Sequence, residues 1–286
     1  MLEEDNPGVR VRALTGLCGL PQDHKEVKAA RGVVKQALSA VHDLSWMELK
    51  GLTLIYNLTA LAESGLSRRD VKIGPVVTKL LAQPFDAGCG DLMALRALVM
   101  LGYADDQRVQ KRLEQVADTQ LPDGGWLCLH RLDKMKRTPK SCIKAAMHAL
   151  LVAGELRKQG RSVGWSGRLV SYFLKRRIFY RMSDPTRLVL DCRPGWRMTD
   201  VHFPIEVMRV GLPVLLEAFA ALGVGQAPEL EEAWGLLDEK SDEQGRLLLE
   251  GTLSKPYLPK ERRGKPSKWA TLYACLAREN RDTKEK

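Results

Sequence analysis

Asp91–Trp126 reads DLMALRALVMLGYADDQRVQKRLEQVADTQLPDGGW, and its pattern of apolar residues decides the fold. In its first third Leu92, Leu95, Leu98, Val99 and Met100 leave little polar face, which predicts a helix buried nearly all round. Gly102 suits the left-handed residue that ends a helix. Asp105 or Asp106 can cap the next one, which buries Val109, Leu113 and Val116 and exposes Arg108, Lys111, Arg112 and Glu114. A tight turn through Gly124 and Gly125 closes on Trp126. One buried and one half-buried helix cannot satisfy each other alone, so the unit requires neighbours of its own kind.

A neighbour is found at Leu212–Leu247, LPVLLEAFAALGVGQAPELEEAWGLLDEKSDEQGRL, which overlays the first stretch without a gap at an offset of 121 residues. Gly102 falls on Gly223, Ala97 on Ala218, Val109 on Leu230, Leu113 on Trp234 and Gly124 on Gly245. Repetition of a helix pair restricts the fold more than any single motif. About eleven helices are expected, with buried ones at Trp46–Gly65, Asp91–Gly102, Cys142–Gly154, Ile205–Gly223 and Trp269–Ala277. Arg161–Tyr180 is expected as an outer helix. The only strand candidates are Leu188–Leu190 and Leu247–Leu249.

Composition agrees with a protein that has ample core: 286 residues, 44% hydrophobic and 28% charged. No apolar run reaches the length of a membrane span, and MLEEDNPGVR is acidic where a signal peptide is basic and then apolar. A cytoplasmic protein with reduced thiols is expected, since six cysteines in this length are too few for a disulfide scaffold. Cys18 and Cys275 read as core. The net charge of +10 is concentrated. Leu127–Arg181 carries fourteen Lys/Arg against Asp133 and Glu155, a local net of +12. Part of it crowds a loop at Lys134, Lys136, Arg137 and Lys140. Another part recurs every seven residues at Arg161, Arg168 and Lys175, opposite Trp165, Leu169 and Tyr172. A pole of this kind suits an acidic protein, nucleic acid or a diphosphate, and no nucleic-acid-binding motif is present.

Gln120-Leu-Pro-Asp-Gly-Gly-Trp126 resembles the QW-type turn of the squalene cyclase and protein prenyltransferase superfamily. Ser241–Leu247 resembles a degenerate copy with leucine in place of tryptophan. Gly264-Lys-Pro-Ser-Lys-Trp269 resembles the corresponding stretch of small bacterial members. The resemblance implies one α/α toroid over residues 1–286, closed or open, with buried helices lining the inside and the others surrounding them. It further implies an isoprenoid or other apolar ligand in the central cavity, with a diphosphate at basic residues around the mouth. The DxDD-type motif of the cyclases and the Asp-x-Cys spacing of the prenyltransferases are absent, so the resemblance does not carry a reaction with it.

In such a ring Cys89, Cys128 with His130, and Cys142 would share one end of neighbouring hairpins. Three thiolates and an imidazole are a donor set for zinc. His202, in Asp200-Val-His-Phe-Pro204 at the entry to a buried helix, is the acid/base candidate. Trp196, Phe203 and Trp269 are candidate cavity walls, whereas His148, inside a buried helix, reads as hydrogen-bonded structure. The competing expectation is a non-catalytic scaffold that docks an acidic protein or nucleic acid on the Arg161, Arg168 and Lys175 face.

Overall fold

A computed structural model of the protein describes residues 1–39, 51–127 and 141–282. Among them are eleven α-helices: α1 (Pro7–Gly16), α2 (Lys25–Ser39), α3 (Gly51–Glu63), α4 (Gly74–Leu81), α5 (Cys89–Met100), α6 (Gln107–Asp118), α7 (Ile143–Lys158), α8 (Ser166–Leu174), α9 (Leu212–Ala221), α10 (Glu231–Glu239) and α11 (Lys268–Asp282). Among the described residues the structure is helix-rich, with one small two-stranded ribbon, β1 (Tyr180–Arg181) with β2 (Asp184–Leu188). That ribbon corrects the strand expectation by a few residues. Leu247 and Leu248 make only isolated bridges, to Ser241 and Pro266.

Burial alternates along the chain as the apolar periodicity requires. In α7 every residue from Ala145 to Leu156 is buried, whereas in α6 only Val109 and Val116 are. The buried helices contact one another in the order α3, α5, α7, α9, α11, α1. Arg12 of α1 pairs in turn with Glu63 of α3. The half-buried α2, α6, α8 and α10 each pack on the buried helix nearest in sequence. One hydrophobic cluster extends from Val9 to Ala277.

The two repeats match in backbone detail. Gly102 and Gly223 both adopt positive φ, at 87° and 78°, just past the ends of α5 and α9. Asp106 caps α6 by accepting from the Arg108 amide at 2.9 Å. At the corresponding point of the second repeat, Pro228 opens a 3₁₀ turn that leads into α10. In the turn that follows, the Leu121 amide donates to Gly125 and the Gly124 amide to Leu121; Asp242, Arg246 and Gly245 repeat both bonds 121 residues on. Trp126 and Leu247 fill the same buried position, each with no exposure. Their carbonyls then accept from Cys142, the N-cap of α7, and from Ser267, the residue before α11.

The Trp126 indole packs back as the resemblance implies, donating to the Val116 carbonyl at 2.8 Å and meeting Trp165 edge-on. Gly124 is required twice, by a φ of 95° and because a Cβ there would strike the Arg168 carbonyl.

Several boundaries differ from expectation. The buried helix expected from Ile205 starts at Leu212, because residues 203–211 are held outside helical geometry by a Glu206–Arg209 bridge and by hydrogen bonds from Phe203 to Gly251 and from Tyr257 to Ile205. The outer helix expected over Arg161–Tyr180 is limited to Ser166–Leu174, ended by positive φ at Arg177 and Ile178. Cys18 is exposed in the turn after α1 rather than in the core, whereas Cys275 is half-buried on α11. No helix among the described residues is long and apolar enough to cross a membrane.

Candidate functional site

Each of the buried helices α3, α5, α7 and α9 carries a charge on an otherwise apolar stretch: Glu63, Arg96, Glu155 and Glu217. Arg96 and Glu217 lie 121 residues apart, so the two repeats bear opposite charges at the same position. These side chains meet in one network. Arg96 donates to Glu63 at 2.6 Å, to Glu155 at 3.0 Å and to the Tyr273 hydroxyl at 2.9 Å. Arg12 donates to the other Glu63 oxygen at 2.6 Å and to Tyr273 at 2.8 Å. Tyr273 in turn donates to Glu63 at 2.6 Å. Lys158 links Glu155 at 2.9 Å to Glu217 at 2.8 Å.

The electrostatics follow from burial and pairing together. Burial alone would raise the Glu63 carboxyl; Arg96 and Arg12 outweigh it and hold the group below the usual carboxylate range. Burial likewise opposes ionisation of Glu155, yet Lys158, Arg96 and Arg12 depress it to about 2. The Tyr273 hydroxyl is raised by burial, against the pull of Arg12 and Arg96, and stays a phenol.

This network forms the floor of a cavity of about 960 Å³, which Arg12, Glu155, Lys158 and Glu217 all line. The walls come from the C-terminal ends of α1, α3, α5 and α7, the C-terminal half of α11, and the first two turns of α2. Lys28, Arg31, Lys35, Arg68 and Arg69 give it a cationic wall. Leu66, Leu101 and Val11 add apolar edges.

The residues expected from sequence lie elsewhere. His202 is buried at 1% exposure, away from this cavity, with the backbone of Gly195 and Pro204 against its ring. Burial, reinforced by Arg209, lowers it to about 4, so it is neutral near pH 7. Phe203 stacks on Trp269 at 5.2 Å with both rings buried, and the guanidinium groups of Arg193 and Arg209 both lie over the Trp196 ring. None of these three aromatics lines the cavity. His148 is structural as expected: its Nε2 faces the Glu206 and Val207 carbonyls at 3.2 Å each, and burial lowers it to about 4.

Cys89 and Cys142 occupy the N-terminal ends of α5 and α7, which pack together. Their expected co-ligands Cys128 and His130 lie outside the described residues, as do Lys134, Lys136, Arg137 and Lys140. Among the described residues no three His, Cys, Asp or Glu side chains form a metal site. On α8 and at its C-cap the expected alternation holds: Arg168 and the C-cap Lys175 are exposed while Leu169 and Tyr172 are buried, and Trp165 is buried one residue before the helix. Arg161 precedes the helix and pairs with Asp105.

Sequence reasoning missed the network and its cavity. The signal was available as a lone charge in each apolar helix, which must find a partner because an isolated buried charge is prohibitively costly. No protein-family model, curated protein or solved structure matches this chain.

Proposed function

We propose that the eleven helices form an α/α toroid of the kind the QW-type turn implies, and that the protein binds a small molecule in the cavity at one end of its inner helices. The circuit of contacts from α3 round to α1, with Arg12 returning to Glu63, supports the ring. The observation that carries the binding reading is the cavity itself, walled by Lys28, Arg31, Arg68 and Arg69 over a floor whose charges satisfy one another. Such a wall selects an anionic group by long-range attraction and by charge-assisted hydrogen bonds. A prenyl diphosphate is the ligand the superfamily resemblance implies. Calorimetric titration of the full chain with farnesyl diphosphate tests it: binding weakened by Arg68→Ala supports the cavity, and binding untouched by that change removes it.

A second reading rests on α8 and its C-cap, where Arg168 and Lys175 are exposed and make no ion pair with a described residue. A scaffold docking an acidic protein or nucleic acid would use this face. It predicts steep salt dependence and loss of partner capture on charge reversal at both positions. A zinc ion on Cys89 and Cys142, with Cys128 and His130 as the other expected donors, is compatible with either reading, as is a cytoplasmic location.

A further inference from the structure

We infer that the cavity takes a hydrophilic polyphosphate, a small molecule with two or more linked phosphoryl groups and no lipid tail. The inference rests on the cavity being the ligand site and narrows what it accepts. Seven cationic and four acidic side chains line it, and the pairing among them is uneven. Glu155 and Glu217 are occupied by Lys158, and Asp70 by Lys35 at 3.0 Å and by the Ser67 hydroxyl at 2.7 Å. Asp23 is the remaining acid. On the cationic side Lys28 and Arg69 make no ion pair with a described residue. Arg31 is held by neutral groups, the Gly65 carbonyl at 3.0 Å and Gln22, and Arg68 lies over the Tyr103 ring at 5.8 Å. Lys28, Arg68 and Arg69 therefore face the cavity with no ion pair to a described residue, and Arg31 shares the field of Asp70 with Lys35.

Helix ends do not account for them. A cation in the last turn of a helix answers the negative end of its dipole, and Lys158 at the end of α7 is such a case. Lys28 and Arg31 instead belong to the first two turns of α2, where the dipole itself favours an anion. Arg68 and Arg69 follow the end of α3 in its turn toward α4. The four project from two segments that Arg31 ties together, a spread suited to several phosphoryl groups rather than one.

Of the aliphatic side chains that line the cavity only Met100 is half-buried; the others are buried. Val11, Leu66 and Leu101 are exposed by 1%, 2% and 0%, so they offer a ligand almost no surface. Leu276, at 8%, offers little more. A prenyl chain there would stay largely in water and gain little from burial.

The test is calorimetric titration of the full chain with inorganic tripolyphosphate, inorganic diphosphate, farnesyl diphosphate and farnesol. Tripolyphosphate should bind more tightly than diphosphate, farnesyl diphosphate no more tightly than diphosphate, and farnesol not at all. Replacing the exposed Lys28, Arg68 and Arg69 together by alanine should weaken tripolyphosphate roughly a hundredfold, since each lost charge-assisted contact is worth about a factor of five or more. Arg168→Ala with Lys175→Ala should leave binding unchanged, which separates the site from general attraction to a basic protein. Farnesyl diphosphate binding well above diphosphate overturns the inference while leaving the cavity as the ligand site. Failure of every probe, or binding indifferent to the triple change, overturns the cavity as well.

Discussion

Arg96 on α5 and Glu63 on α3 meet at 2.6 Å with side-chain exposures of 3% and 0%, and they join two neighbouring helices at the centre of the molecule. Removing one partner leaves the other as an uncompensated buried charge. Arg96→Met should destabilise by about 3–5 kcal/mol. Replacing Glu63 by Gln in the same chain should cost less than the sum of the two single changes, because both remove the same pairing. Urea unfolding of the two single variants and the double variant measures this coupling; strict additivity would mean that the pair contributes nothing specific.

The turns at Gly124 and Gly245 are expected to differ in their tolerance of alanine. Gly124 and Gly245 share positive φ, at 95° and 73°, so each substitution carries a conformational penalty of about 1 kcal/mol. At Gly245 a Cβ meets open space, whereas at Gly124 it strikes the Arg168 carbonyl and approaches Tyr172. Gly124→Ala should therefore be the more destabilising by more than about 1 kcal/mol, the usual cost of overpacking. Equal unfolding midpoints would argue against close packing of the first turn on α8.

The repeat was legible in sequence for a physical reason. Gly102, Gly124, Trp126 and their counterparts serve the local backbone, which depends on residues a few positions away. The helix order and the alternation of burial followed from that periodicity. The start of α9 was not legible, because the bridge and hydrogen bonds at residues 203–211 depend on tertiary contacts with Gly251 and Tyr257. The buried charge network and its cavity were not legible for a similar reason. Attention to histidine, cysteine and the richest basic run pointed to the N-terminal ends of the buried helices and to the outer surface. The charges that converge are spread over 261 residues, from Arg12 to Tyr273, and each looked incidental within its own helix.

Stability should fall as the pH drops below neutrality. His148 and His202 are lowered from 6.5 to about 4 in the fold, so between those values the unfolded chain binds more protons than the native one. Their stabilising contribution is complete above about pH 6.5 and lost as pH falls toward 4, up to on the order of 3 kcal/mol for each. A second loss follows below 4.5, where Glu155, depressed to about 2, is protonated in the unfolded chain first. Urea midpoints at pH 7.5, 5.5 and 4.5 should decline in order, and His148→Gln should flatten the first part of that decline. An unchanged slope in this variant would assign the loss to other groups.

Elemental analysis bears on the cysteines. If Cys89, Cys128, His130 and Cys142 hold zinc, protein purified without chelator should carry about one equivalent, and Cys89→Ser should abolish it. Metal-free protein with an unchanged unfolding midpoint would leave Cys89 and Cys142 as helix-start residues.

The central claim, that the ligand sits among the C-terminal ends of the buried helices, is tested most directly by amide hydrogen exchange with and without saturating tripolyphosphate. The account predicts protection concentrated at Gly65–Asp70, at Met100–Gly102 and in the first turns of α2, the backbone bordering the cationic wall. Protection confined to α8 around Arg168 and Lys175, or to the loop before α11, would contradict it.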